Sequence, residues 1–262
     1  INREKLICQL LCVVLFSLCI TVVSAETIYP VSWTVTGSGT ETWQESVNNG
    51  DFVYTVVGPA PTFSLLKYRG STGELMWAAG TGESMGLFPG VLSAYDEYII
   101  IYQNSNLVKY RTSDGSKVWT VPESSYLPKK IAADKDYFYT ISGFYLIKYR
   151  ASDGARLLVK DISIFDSGAY YHPFELTVDK GYIYTRTGGV GVDWLRKHDV
   201  GLKEIYRVDE MYHDGSVGYG PKEWTASGNY LYAIINIGTD SLLAKYQASN
   251  GALVWTKSIL YP

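Results

Sequence analysis

The sequence predicts an all-β chain, a β-propeller of four-stranded antiparallel blades, on three observations. The first is a recurring stretch. LVKYRTSDGSKVWT (residues 107–120) returns as LLKYRGSTGELMWA (65–78), LIKYRASDGARLLV (146–159) and LAKYQASNGALVWT (243–256), with a decayed fifth copy, WLRKHDVGLKEIYR (194–207). Counted between Lys67, Lys109, Lys148, Lys197 and Lys245, the copies are 39 to 49 residues apart. A period near ~40 residues is that of a propeller or an array of supersecondary units. The second observation is the grammar of one copy. LVKYR alternates apolar and polar residues at strand period, Ser113-Asp114-Gly115 is turn chemistry, and Lys117-Val118-Trp119-Thr120 is a second short strand. A tight turn makes the two strands antiparallel neighbours. The third is a further hairpin upstream of each copy, which brings the count to four strands per period, a propeller blade.

The second strand of that upstream hairpin is legible in every copy: residues 51–55, 97–101, 136–140, 181–185 and 229–233. Each opens on a polar or glycine residue and continues in aromatic and β-branched residues, the strand formers. First strands are short, at residues 90–94, 130–133, 175–178 and 223–226. The predicted blades are residues 42–79, 90–121, 129–161, 174–208 and 222–258, all within one domain, 26–262.

At the fourth residue after the turn glycine stands a tryptophan: Trp77 after Gly73, Trp119 after Gly115 and Trp255 after Gly251. Leu158, after Gly154, and Ile205 take its place in the third and fourth copies. In this the chain resembles the PQQ-like (quinoprotein-type) propeller repeat, over residue 31 to the C-terminus. The resemblance implies that the outer-strand Trp docks between blades, near a turn glycine of the neighbouring repeat. The family's usual small residue and Asp before the turn are here Lys and Arg or Gln, as at Lys109 and Arg111. Quinone-dependent dehydrogenases of that class are implied to use larger rings, a Trp platform, a calcium site, a catalytic Asp and often a vicinal disulfide. None of those ligand motifs is found here, and no cofactor is expected.

Residues 1–25 read as a signal peptide. Arg3 and Lys5 form a weak basic region, residues 6–20 are an apolar run short for a span, and Val23-Ser24-Ala25 offers a cleavage site. If residues 6–23 stay uncleaved they form a membrane anchor; otherwise the mature chain has no span. The three cysteines, Cys8, Cys12 and Cys19, all lie in this segment. The mature chain must therefore be held by its core rather than by disulfides, for which a 47% hydrophobic composition is ample. Losing Arg3, Glu4 and Lys5 takes the net charge from −3 to −4. With no basic block, nucleic acid is excluded as a partner class. Residues 31–35 (VSWTV) look like a stray outer strand. Blade five already has its own, so the extra strand has no gap to fill. The expectation is an incomplete ring belonging to a larger propeller, with five blades closed edge to edge as the alternative.

Chemistry is expected on the face that carries the blade-to-blade linkers and the turns between second and third strands. The Ser-Asp-Gly turns on the other face are short and alike. The longest irregular pieces, residues 161–173, 187–193 and 209–221, cluster around blade four, and loops on a rigid frame are where binding resides. They hold the candidate ligand-binding residues Tyr170, Tyr171, His172, Asp193, Tyr212, His213, Asp214 and Tyr219. Aromatics with a few carboxylates suit sugar or peptide contact. His172, His213 and Asp214 lack the short spacing of a metal motif, so no metal site is assigned. His198 stands where other copies have Tyr and reads as a strand residue. There is no Gly-x-Ser-x-Gly elbow, no phosphate loop and no calcium loop. The expected function is a secreted, periplasmic or cell-surface binding or scaffold module for protein or glycan, without catalysis. The alternatives are a quinoprotein dehydrogenase fragment and, further off, a polysaccharide-cleaving propeller.

Overall fold

The computed structural model describes residues 23–24, 27–28, 43–58, 63–80, 91–166, 168–189, 192–209, 221–237 and 240–259. Residues 31–35, the anticipated extra strand, and most of the anticipated signal peptide lie outside them. A two-residue pair, β1 (Val23–Ser24) and β2 (Thr27–Ile28), precedes five blades.

Blade one is β3 (Trp43–Asn49), β4 (Phe52–Val57), β5 (Ser64–Arg69) and β6 (Leu75–Gly80). Blade two is β7 (Leu92–Tyr95), β8 (Tyr98–Gln103), β9 (Asn106–Arg111) and β10 (Lys117–Pro122). Blade three is β11 (Lys130–Ala133), β12 (Tyr137–Ser142), β13 (Tyr145–Arg150) and β14 (Arg156–Asp161). Blade four is β15 (Ile164–Asp166), β16 (Ala169–Asp179), β17 (Tyr182–Gly189), β18 (Val192–His198) and β19 (Glu204–Asp209). Blade five is β20 (Pro221–Ser227), β21 (Tyr230–Ile237), β22 (Asp240–Gln247) and β23 (Leu253–Ile259). Within each blade the strands pair antiparallel in chain order. This is the β-propeller blade architecture, repeated five times. Blades one and two form one compact unit and blades three to five another, divided between Ser125 and Tyr126.

The strand chemistry explains the burial. Second strands are buried on both faces: Ile99, Ile100 and Ile101 of β8 have no exposed surface. Buried on both faces, they read as continuous apolar runs rather than as alternation. In the first unit, Tyr54, Val56 and Leu65 of blade one pack with Leu92, Ile99, Ile101 and Val108 of blade two. In the second, Tyr139, Ile141 and Leu146 of blade three pack with Leu176, Ile183 and Leu202 of blade four. Tyr184 and Leu195 of blade four meet Leu231, Ala233 and Tyr246 of blade five.

Every outer strand carries a β-bulge at one repeat position. The register slips past Met76, Val118, Leu157, Ile205 and Val254, each of them an exposed apolar residue. The bulge turns the next side chain back onto the blade and sets it opposite the repeat lysine: Trp77 on Lys67, Trp119 on Lys109, Trp255 on Lys245. In blade four the residue opposite Lys197 is Tyr206. This corrects the reading of Ile205 as the Trp equivalent. The turn there is one residue shorter, and Leu202, at φ 61°, takes the positive-φ place that Gly115 holds at 71°.

Two stretches expected to be irregular are also strand. Residues 161–173 contain β15 and the start of β16, which pair Ile164 with Tyr171 and Phe165 with Tyr170. Residues 187–189 end β17 and residues 192–193 begin β18, with Gly188 opposite Asp193. Blade four thus begins ahead of Phe174 and carries a fifth strand.

Candidate functional site

The added β15–β16 hairpin positions an exposed aromatic patch. Phe165 is 64% exposed and Tyr170 is 66% exposed, an unusual placement for rings with so much area to bury. Their centroids are 4.8 Å apart with the planes tilted by 50°. Phe144, at the tip of the β12–β13 turn of blade three, lies 6.0 Å from Tyr170 and 6.1 Å from His172, edge-on to the latter. The Ile162 amide donates to the Phe144 carbonyl at 2.9 Å, which ties this turn to the linker between the blades. Beside it, on the same linker face, Tyr126 meets Tyr145 edge-on at 5.4 Å. The Arg156 guanidinium sits 5.1 Å from the Tyr126 centroid.

Of the anticipated ligand-binding residues, Tyr170 and His172 join this patch. Tyr171 alternates to the other face of β16 and packs edge-on against buried Trp194 at 5.2 Å, so it braces the hairpin. Asp193 lies on β18 in the row His172–Gly188–Asp193. Tyr212, His213, Asp214 and Tyr219 lie outside the described residues. Phe144 and Phe165 were not anticipated. The signal for both was a phenylalanine inside a loop between strands, where polar turn residues are the rule. Among the described residues no group of three His, Cys, Asp or Glu side chains is placed to hold a metal ion. His198 is a strand residue with no exposed surface, and its Nε2 is 3.0 Å from Thr185 Oγ1 in a hydrogen bond. Burial, aided by the Arg196 and Lys160 charges, pushes its pKa down to about 3.

The repeat positions form a second constellation, which fixes the frame. Trp77 of blade one rests on Gly115 of blade two: a Cβ there would lie 2.9 Å from Trp77 Cε3. Trp77 Nε1 donates to the Thr112 carbonyl at 3.1 Å, and Lys67 Nζ donates to the same oxygen at 2.8 Å. Blade four grips blade five in the same way. Tyr206 Oη and Lys197 Nζ donate to the Ala248 carbonyl at 3.1 and 3.0 Å, and a Cβ on Gly251 would meet Val208 and, at 3.1 Å, Tyr206 Cε2. Between blades three and four, Lys148 Nζ donates to the Val200 carbonyl at 2.8 Å and Lys160 Nζ to the Leu202 carbonyl at 2.6 Å.

Each repeat lysine also lies over the aromatic that opens its blade's second strand: Phe52, Tyr98, Tyr137, Tyr182 and Tyr230, at 3.5 to 4.2 Å from the ring centroid. Loss of solvent lowers the pKa of Lys67, Lys109, Lys148 and Lys197. The ring face, and for Lys67, Lys148 and Lys197 the accepting carbonyl, offset part of that desolvation.

No family model matches the chain, and no curated protein matches it. Among solved structures it is similar to BamB from Moraxella catarrhalis, at 16% identity and a TM-score of 0.45, over 79% of this chain and 62% of that one. It is also similar to the computationally designed Ika8 protein, at 11% identity and a TM-score of 0.55, over 82% of this chain and 61% of that one. The chain spans about three fifths of the length of both. At such identity the likeness is one of fold.

Proposed function

We propose that the chain is an exported, non-catalytic binding module of the PQQ-like repeat type, and that it takes a protein partner on the linker face of blades three and four. The observation that carries this reading is the exposed ring cluster of Phe144, Phe165, Tyr170 and His172, held by backbone pairing on a rigid frame. Clustered aromatics of this kind are typical anchors of protein interfaces. Their planes are tilted against one another by 50° to 75°. Such a cluster presents edges and clefts for apolar side chains. A sugar needs a flat ring face with polar groups around it, which makes glycan the weaker reading. The signal-like residues 1–25 support export.

The test compares the chain with its Phe165→Ser/Tyr170→Ser variant. Both rings are exposed, so the variant should fold with thermal stability within about 0.5 kcal/mol of the parent. Proteins from the surface on which the chain is displayed should be retained by the parent and lost by the variant, while glycan arrays stay blank. Equal retention by both, or glycan binding without protein binding, contradicts the proposal.

A further inference from the structure

Asn-Gly occurs twice in the sequence, at Asn49-Gly50 and at Asn250-Gly251. The pair is chemically labile. Glycine puts no side chain in the way of its own amide nitrogen, which can attack the side-chain amide of the asparagine before it. Both pairs sit at turns between strands, with the glycines at φ 61° and 74°. Gly50 opens the two-residue turn between β3 and β4, across which Asn49 pairs with Phe52. Gly251 lies in the turn between β22 and β23.

Hydrogen bonding separates the two. The Gly251 amide donates to the Gln247 carbonyl at 2.8 Å, and Asn250 Oδ1 accepts the Ala252 amide at 3.0 Å. Attacking nitrogen and side-chain amide are thus both engaged. The glycine is also covered, since a Cβ on it would meet Val208 and, at 3.1 Å, Tyr206 Cε2. Gly50 is exposed, and among the described residues its amide makes no hydrogen bond. Beyond its chain neighbours nothing lies within 4 Å of a Cβ built on it. The Asn49 side chain is held by its donor end, Nδ2 donating to the Asp96 carbonyl of blade two at 2.8 Å. That carbonyl also accepts Thr112 Oγ1 at 3.1 Å, and the Thr112 carbonyl in turn accepts Trp77 and Lys67. Asn49 therefore ends the hydrogen-bonded chain that joins blade one to blade two.

We infer that Asn49 is a deamidation site of the folded chain, that Asn250 is protected, and that the change loosens blade one from blade two. Water takes the proton of the Gly50 amide. The freed nitrogen bonds to Asn49 Cγ, the Cγ–Nδ2 bond breaks, and Nδ2 leaves as ammonia with a proton returned by water. Water then opens the cyclic imide at either carbonyl, leaving an aspartyl or an isoaspartyl residue. Solvent is the only co-reactant, and nothing is oxidised or reduced. The aspartyl product turns a carboxylate on the Asp96 carbonyl, so two acceptors face each other where a donor stood. The isoaspartyl product adds a methylene to the main chain at a turn whose length sets the β3–β4 register.

Incubation of the unmodified chain in mildly alkaline buffer, native and in denaturant, tests this. Peptides are followed by mass spectrometry and by labelling with an isoaspartyl methyltransferase. In the native chain the Asn49 peptide is expected to convert and the Asn250 peptide to lag by about tenfold or more, the factor that one ordinary hydrogen bond supplies. In denaturant the two should convert at similar rates. Asn49→Asp should melt below the parent. Asn250→Asp should melt with the parent, because Asp114 and Asp153 serve as the same acceptor in their own turns. The conversion measurement needs no variant to fold. Equal conversion of both peptides in the native chain overturns the assignment, as does an Asn49 peptide that converts only in denaturant. An Asn49→Asp midpoint equal to the parent's overturns the loosening.

Discussion

A lysine in the third strand of a blade looks out of place, because its charge must leave water when the next blade closes over it. The structure resolves this with an aromatic face on its own blade and a carbonyl on the next. The pattern was present in the sequence as a pair: each repeat lysine is accompanied by an aromatic opening the preceding strand. Read one copy at a time, the lysine counts only as a departure from the family pattern. His198 is the opposite case, a titratable group whose hydrogen bond to Thr185 does not offset its burial. Its pKa is about 3 in the folded chain against an ordinary 6.5. Between those values the unfolded chain binds a proton that the native chain refuses, so stability is lost as pH falls from 6.5 towards 3. The loss is on the order of a few kcal/mol. His198→Phe removes the titration, and its unfolding free energy should be flatter with pH over that window. A slope equal to the parent's would mean that His198 is not what acid acts on.

At the scale of the element, the grip between blades depends on a large residue meeting a vacant position. Trp77 fills the space above Gly115, which has no Cβ and a positive φ. Trp77→Ala should cost about 3 kcal/mol. Gly115→Ala should cost about 2 kcal/mol or more with Trp77 present, from backbone strain plus the clash, and close to 1 kcal/mol once Trp77 is Ala. Denaturant unfolding of the two single variants and the double variant measures that coupling, and simple additivity would contradict the contact. The blade-three to blade-four junction is the exception. Leu158 stands at the Trp position and is 39% exposed, while the facing turn carries buried Leu202 in place of glycine. Bulk has moved from one side of the joint to the other. The sequence placed the strands and turns of regular copies because alternation and Ser-Asp-Gly chemistry are local. It misplaced Ile205 and Tyr206 because a one-residue deletion shifts every later position to the other face. It also missed β15, three residues long, because so short a strand has no period to detect and is held only by pairing with β16.

For the molecule as a whole, the division of labour follows from the topology. Within each compact unit the faces between blades are filled with apolar residues and grips, and the turns repeat one motif. The linker face of blades three and four alone, among the described residues, gathers exposed rings from two blades. Of the anticipated site, Tyr170 and His172 were legible as loop aromatics, but their real companions, Phe144 and Phe165, come from a hairpin turn and an added strand. That neighbourhood is set by packing between blades, which no single stretch of sequence encodes. The most direct test is amide hydrogen exchange of the chain with and without the protein partner proposed for it. The account predicts slowed exchange at Phe144 and across β15 and the start of β16, with the Ser113-Asp114-Gly115 and Ser152-Asp153-Gly154 turns unchanged. Protection confined to those turns, with the aromatic hairpin unaffected, would contradict it.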